Sequence, residues 1–208
     1  MVGLFGMNSP FAAAVSKLVQ MIYVGLLWFV CSIPIITVGA ANTALYEVLL
    51  KMEKNQEGYV SVSFFRTFRN NLKGATLVWI PLLAAEVIFG VNLFYYAVFG
   101  GGQFPVQSAV FGVLLLLALT LSGYVFPVMA RFENTTAGTF RMAVLLAMRN
   151  PGWTVVILLV QVLTIAVCWF FLYFPLLFIM GITGYFQAAI FNHIFDRLIE
   201  QGKIIERQ

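Results

Sequence analysis

Charge is what this sequence has least of. Only 10% of its 208 residues are charged, where soluble domains carry about a quarter. A chain so short of charge cannot cover a water-exposed surface, which excludes an ordinary soluble globular fold. There is one histidine, His193, and there are two cysteines, Cys31 and Cys168, each inside an apolar run and far from the other. That excludes a disulfide framework and a C-x-x-C pair, and the cysteines read as small core hydrophobes. No H-E-x-x-H pair, Walker A loop or G-x-S-x-G elbow occurs. Neither an enzyme nor a self-powered ATP-driven pump is expected, and no cofactor or metal centre.

What is there is apolar. Hydrophobic residues make up 62% of the chain and its mean hydropathy is +0.95, so the lipid bilayer is the partner implied first. A net charge of +4 reads as basic loops of a membrane protein rather than as a nucleic-acid surface. A span needs roughly 20 apolar residues, and the gaps between charges locate the spans. Lys17 to Glu47 holds no charge, Lys73 to Arg131 holds only Glu86, and Arg149 to Asp196 holds none. Gly100-Gly101-Gly102 with Pro105, and later Pro175, divide the two longer stretches. The expectation is a single all-α polytopic bundle of five spans near 18–36, 75–99, 106–130, 153–174 and 175–192, with cytoplasmic segments 37–74, 131–152 and 193–208.

Orientation follows from Lys51, Lys54, Arg66, Arg69 and Lys73, from Arg131, Arg141 and Arg149, and from Arg197, Lys203 and Arg207. These 11 of the 12 basic residues fall on one face, which the positive-inside rule makes cytoplasmic. The C-terminus is then inside and a short N-terminus outside. Lys17, the apolar run after it and Val38-Gly39-Ala40 imitate a signal peptide, but the run is longer than such a core normally is.

The inner segments carry helical patterning. Leu45, Val48, Leu49 and Met52 share one helical face, with Glu47 and Lys51 at a favourable i, i+4 spacing on the other side. Such a helix suits the inner leaflet or a docking partner. Met142, Leu145 and Leu146, flanked by Arg141 and Arg149, suit the same role. Gly39 and Thr43, and Ala40 and Ala44, place small residues at i, i+4, a spacing that lets helices approach closely. Pro34 with Asn42-Thr43 is echoed by Pro127 with Asn134-Thr135, and Arg69-Asn70 by Arg149-Asn150. A parallel repeat of the kind found in transporters would leave that trace; so would the ordinary preference of membrane exits for these residue types.

Inside the spans, Glu86 stands near mid-depth, where an ionisable side chain needs a partner or water. Gln161 lies at comparable depth and Asn92 nearer the outer surface, so these three form the candidate intramembrane polar site.

Three blocks then carry a likeness: Ser32-Ile33-Pro34-Ile35-Ile36-Thr37-Val38-Gly39-Ala40-Ala41-Asn42-Thr43-Ala44-Leu45-Tyr46, Glu57-Gly58-Tyr59 with Phe64-Phe65-Arg66-Thr67-Phe68, and Tyr124-Val125-Phe126-Pro127-Val128-Met129-Ala130-Arg131-Phe132-Glu133-Asn134-Thr135. Their order and spacing resemble the YesL-like family of bacterial membrane proteins. Where that family tends to have an acid before the aromatic cluster of the second span, this chain has Asn92. The resemblance implies the bacterial cytoplasmic membrane and an association with carbohydrate use, because the family's genes commonly neighbour those of sugar-importing ABC transporters. Two functions are expected, the first from the resemblance and the inner amphipathic segments, the second from the possible repeat and Glu86. One is an accessory subunit that binds the permease of a carbohydrate ABC importer and assists its assembly, stability or regulation. The other is a small autonomous transporter acting as a homo-oligomer, with Glu86 as its ionisable group.

Overall fold

The computed structural model describes residues 10–56, 58–100, 104–132, 135–170 and 176–200. Seven α-helices follow one another: α1 (Pro10–Ser32), α2 (Val38–Glu53), α3 (Val60–Phe94), α4 (Pro105–Arg131), α5 (Thr136–Arg149), α6 (Pro151–Phe170) and α7 (Leu176–Glu200). A 3-10 turn, Ile35–Thr37, joins α1 to α2, and a π turn, Tyr95–Phe99, extends α3. No strand occurs among the described residues. The chain is an all-α, multi-pass membrane bundle. By length and composition four stretches can cross a bilayer, namely Ala14–Ser32, Ile35–Glu53, Val60–Phe99 and Pro105–Arg131, or five if the bent pair α5 and α6 is counted as one.

Local chemistry sets the ends of these helices. Pro105 and Pro151 open α4 and α6, where a missing N–H costs nothing. The Thr135 hydroxyl caps α5 by accepting from the Gly138 N–H at 3.2 Å. Pro34 breaks α1 from α2, and Thr37 locks the break by donating its hydroxyl towards the carbonyls of Cys31 and Pro34. After α2 the chain reverses through Asn55, whose φ of 52° is left-handed, a conformation asparagine tolerates better than most residues. The Asn55 N–H returns to the Met52 carbonyl and the Gln56 N–H to that of Lys51, which satisfies carbonyls the helix end would otherwise strand.

Three expectations are corrected here. The helix of the second span does not begin at 75: α3 runs unbroken from Val60, because nothing between Val60 and Lys73 breaks a helix and charge alone does not stop one, so the apolar stretch 75–99 is its second part. Val60–Phe99 is 40 residues, about 60 Å of helix against a hydrocarbon core of about 30 Å. Nor is 37–74 a surface segment. α2 is the central element of the bundle, buried at every residue from Thr43 to Leu50, and Glu47, expected on the side opposite the apolar face, is buried with the rest. The third correction concerns sidedness. Lys17 donates to the Asn55 carboxamide oxygen at 2.9 Å, so the start of α1 and the α2–α3 turn lie at one end of the bundle rather than on opposite sides. The physical reason is that α1 and α2 form a helical hairpin about Pro34, which brings the chain back to the end where it began.

The same end is tied by polar contacts. Lys54 pairs with Asp196 at 2.5 Å and Arg131 approaches the same carboxylate at 3.9 Å. Asn192 donates to Glu53 at 2.6 Å and to the Leu50 carbonyl at 2.9 Å. Large buried aromatics, among them Phe64, Tyr124, Phe126, Phe191 and Phe195, fill the space between α2, α3, α4 and α7. At the α1–α7 crossing a Cβ on Gly181 would stand 1.8 Å from the Met21 carbonyl oxygen, so the two backbones touch. The turns expected at Gly101-Gly102 and at Pro175 lie outside the described residues.

Candidate functional site

The small-residue stripe of α2 is what brings the site together. A Cβ on Gly39 would meet the Ala75 carbonyl oxygen and the Trp79 Cβ, both at 2.6 Å. Ala40, Thr43 and Ala44 are fully buried, and Thr43 returns its hydroxyl to the Gly39 carbonyl at 3.0 Å. The close helix contact expected of these four residues is therefore internal, between α2 and its neighbours. It draws the polar residues of α2 into the middle of the bundle.

They meet there around a cavity of about 230 Å³. Glu86 from α3 and Gln161 from α6 both line it, as expected, but Asn92 does not. Asn92 donates to the Ile88 carbonyl of its own helix at 2.8 Å on an exposed face. Sequence reading missed Asn42 and Tyr46 of α2, Ser122 of α4, Thr164 of α6 and Gln187 of α7, all of which line the same space. Their spacing is the signal: Asn42 and Tyr46 lie one turn apart on the stripe that holds Leu45 and Leu49. Gln161 and Thr164 likewise share a face.

The cavity has two chemically different sides. On one, the Trp28 indole N–H donates to the Asn42 carboxamide oxygen at 2.6 Å, and the Tyr46 hydroxyl donates to the Gln187 carboxamide oxygen. Each amide has its oxygen engaged, so what remains to each is its NH₂. That side donates. On the other side the buried Glu86 Oε1 and Gln161 Oε1 have no hydrogen-bond partner. Ser122 gives its hydroxyl to the Leu119 carbonyl at 3.0 Å and Thr164 to the Val160 carbonyl at 2.7 Å, leaving both oxygens as acceptors. Gly123 makes room there, because a Cβ at that position would stand 2.5 Å from the Gln161 Nε2. Trp28, Trp79 and Phe126 contribute aromatic wall.

The residues singled out for partner docking divide. Leu45, Val48, Leu49 and Met52 do share a face, but all are buried within this chain, and a Cβ on Gly184 of α7 would meet Leu49 at 2.8 Å. Their surface is covered by α7 and the neighbouring helices. On α5, Leu146 is buried, Met142 is packed against the core, and Leu145 is 54% exposed with Met148 beside it at 78%. α5 turns 106° from α6 at Asn150, so it runs across the bundle. His193, exposed on α7, lies against the Trp153 ring. Among the described residues no three His, Cys, Asp or Glu side chains cluster in a way that could hold a metal ion.

Over residues 21–93 the chain matches the family described as "Protein of unknown function, DUF624". The YesL-like family is a DUF624 family, so the match agrees with the likeness carried by the Ser32–Tyr46 and Phe64–Phe68 blocks. No curated protein and no solved structure matches.

Proposed function

We propose that the chain, whose residues 21–93 match the DUF624 family and supply the second half of α1, all of α2 and nearly all of α3, is a small solute-binding carrier. Its cavity receives a neutral polyhydroxylated molecule of monosaccharide size. The observation that carries this reading is the pairing of a donating side with an accepting side around one cavity. A hydroxyl group both donates and accepts, so a polyol satisfies Asn42 and Gln187 on one side and Gln161 and Glu86 on the other. The aromatic wall gives the apolar face of a sugar ring something to lie against. α2 enlarges the polar inventory of the bundle interior with Asn42 and Tyr46. A bacterial cytoplasmic membrane location rests on the resemblance.

The test is direct because Trp28 and Trp79 border the cavity. Intrinsic fluorescence of the purified protein in lipid nanodiscs should respond saturably to members of a panel of neutral sugars and polyols. Asn42→Ala or Gln187→Ala should weaken the best of them by roughly tenfold or more, the worth of one or two buried hydrogen bonds. A panel with no saturable response would sink the reading.

A second reading is favoured by α5. Its apolar residues Leu145 and Met148 stay exposed between Arg141 and Arg149, on a helix that crosses the bundle instead of joining it. That supports an accessory subunit that docks on the permease of a carbohydrate ABC importer, as the gene neighbourhood implied by the resemblance also suggests. Gentle extraction from the host followed by mass spectrometry should then return permease subunits in near-equal amounts. Repeated recovery of this chain alone would count against it.

A further inference from the structure

The accepting side of the cavity has a property that a neutral solute leaves unexplained. Glu86 Oε1 and Gln161 Oε1 are buried acceptors without partners. The single proton of Ser122 is shared between the Leu119 carbonyl and the Glu86 carboxyl within its reach, and that of Thr164 is spent on Val160. Glu86, Ser122, Gln161 and Thr164, from α3, α4 and α6, therefore line one cavity, each with an oxygen that has acceptor capacity left. None of the residues lining the cavity is Lys, Arg or His. A carboxylate removed from water without a counter-charge is strongly disfavoured, and here the protein supplies no counter-charge.

We propose that these oxygens form a site for a monovalent cation of sodium size, held by Glu86, Gln161, Ser122 and Thr164. Oxygen-only donor sets select hard cations. One carboxylate balances one positive charge, and among the residues lining the cavity no second carboxylate stands by to favour a divalent ion. Gly123 is the enabling residue on α4, since any side chain there would displace the Gln161 carboxamide. The site shares its cavity with the sugar reading but does not depend on it: a cation can bind here whether or not a polyol binds opposite.

The experiment uses the full chain in detergent or nanodiscs with no sugar present. Its unfolding temperature is followed on titration with sodium chloride, and with choline chloride at matched ionic strength, at several pH values. Sodium should raise the unfolding temperature by several degrees over choline, saturably, and a lower pH should weaken the effect because protons compete for Glu86. Glu86→Gln, which keeps the shape and removes the charge, should abolish the sodium increment. Ser122→Ala should weaken the apparent affinity about tenfold while the protein stays folded, which covers the case where Glu86→Gln fails to fold. Equal curves in sodium and choline at every pH overturn the proposal, and so does a sodium increment that survives Glu86→Gln. Stability that follows pH but not cation identity also overturns it, because the carboxyl is then simply protonated and donating to Gln161. Loss of sugar binding with the sodium increment intact, as in Asn42→Ala, would show the two readings to be separate.

Discussion

α2 and α5 occupy the same place in the order of the chain, each a short helix that follows one long apolar helix and precedes another. One is engulfed and the other is left outside. Every residue of α2 from Thr43 to Leu50 is buried, whereas on α5 only Thr139, Ala143 and Leu146 are. Hydrophobicity does not explain the difference, because in a bilayer an apolar side chain is as well placed against lipid as against protein. Size does. α2 opens with Gly39-Ala40-Ala41 and continues with Ala44, so its backbone can lie against α3. α5 opens with residues as small, Ala137-Gly138-Thr139, but where α2 continues with Asn42, Thr43 and Ala44 it has Phe140, Arg141 and Met142. The comparison extends to the proposed repeat: Pro34 lies in a turn and Pro127 inside α4, while Arg69-Asn70 is mid-helix and Arg149-Asn150 stands at an elbow.

The largest blow to this contrast should come from Leu49→Ala. The site is fully buried, so truncation should cost about 2–5 kcal/mol in reversible unfolding in mixed micelles. The matching change on α5, Leu145→Ala, should stay within about 0.5 kcal/mol. Equal costs would mean that α5 is as enclosed as α2. Gly39→Ala comes next. The atoms its Cβ would strike include the α3 backbone, which cannot swing aside, so about 1–3 kcal/mol should be lost; Gly152→Ala, with open space around it, is the control. Lys54→Ala should cost under about 1 kcal/mol, and less at high salt, because its bridge to Asp196 is partly exposed. The smallest effect on stability belongs to Met148→Ser, within about 0.5 kcal/mol. Its signature should be weaker association of the α5 surface with lipid or permease, read by cross-linking from Arg149→Cys.

How far the sequence carries is clear from the same elements. The helical periodicity of α2 was legible, and so were its small-residue stripe and the depth of Glu86 and Gln161. What covers the α2 stripe was not, because periodicity says which residues share a face and nothing about what lies against it. Asn42 and Tyr46 were passed over for that reason, since both fall in the segment 37–74 expected outside the spans. Asn92 failed for a different one. Six residues beyond Glu86 turn a helix by about 600°, which leaves the two side chains about 120° apart around the axis. Position along the chain gave depth but not direction. Lys17 misled because a hairpin at Pro34 returns the chain to its starting end, a step that charge counting cannot see.

The length of α3 bears on the thickness of the membrane it can inhabit. A rod of about 60 Å leaning at about 40°, the steep limit for membrane helices, still projects about 46 Å along the bilayer normal. No lean can sink all of it, so the turns bearing Arg66, Arg69 and Lys73 stay outside in any bilayer. The apolar part from 75 to 99 is about 37 Å long and matches a hydrocarbon core of about 30 Å at a lean near 37°. A thicker bilayer is met by standing straighter and a thinner one by leaning further, so α3 adapts to membrane thickness instead of selecting for it.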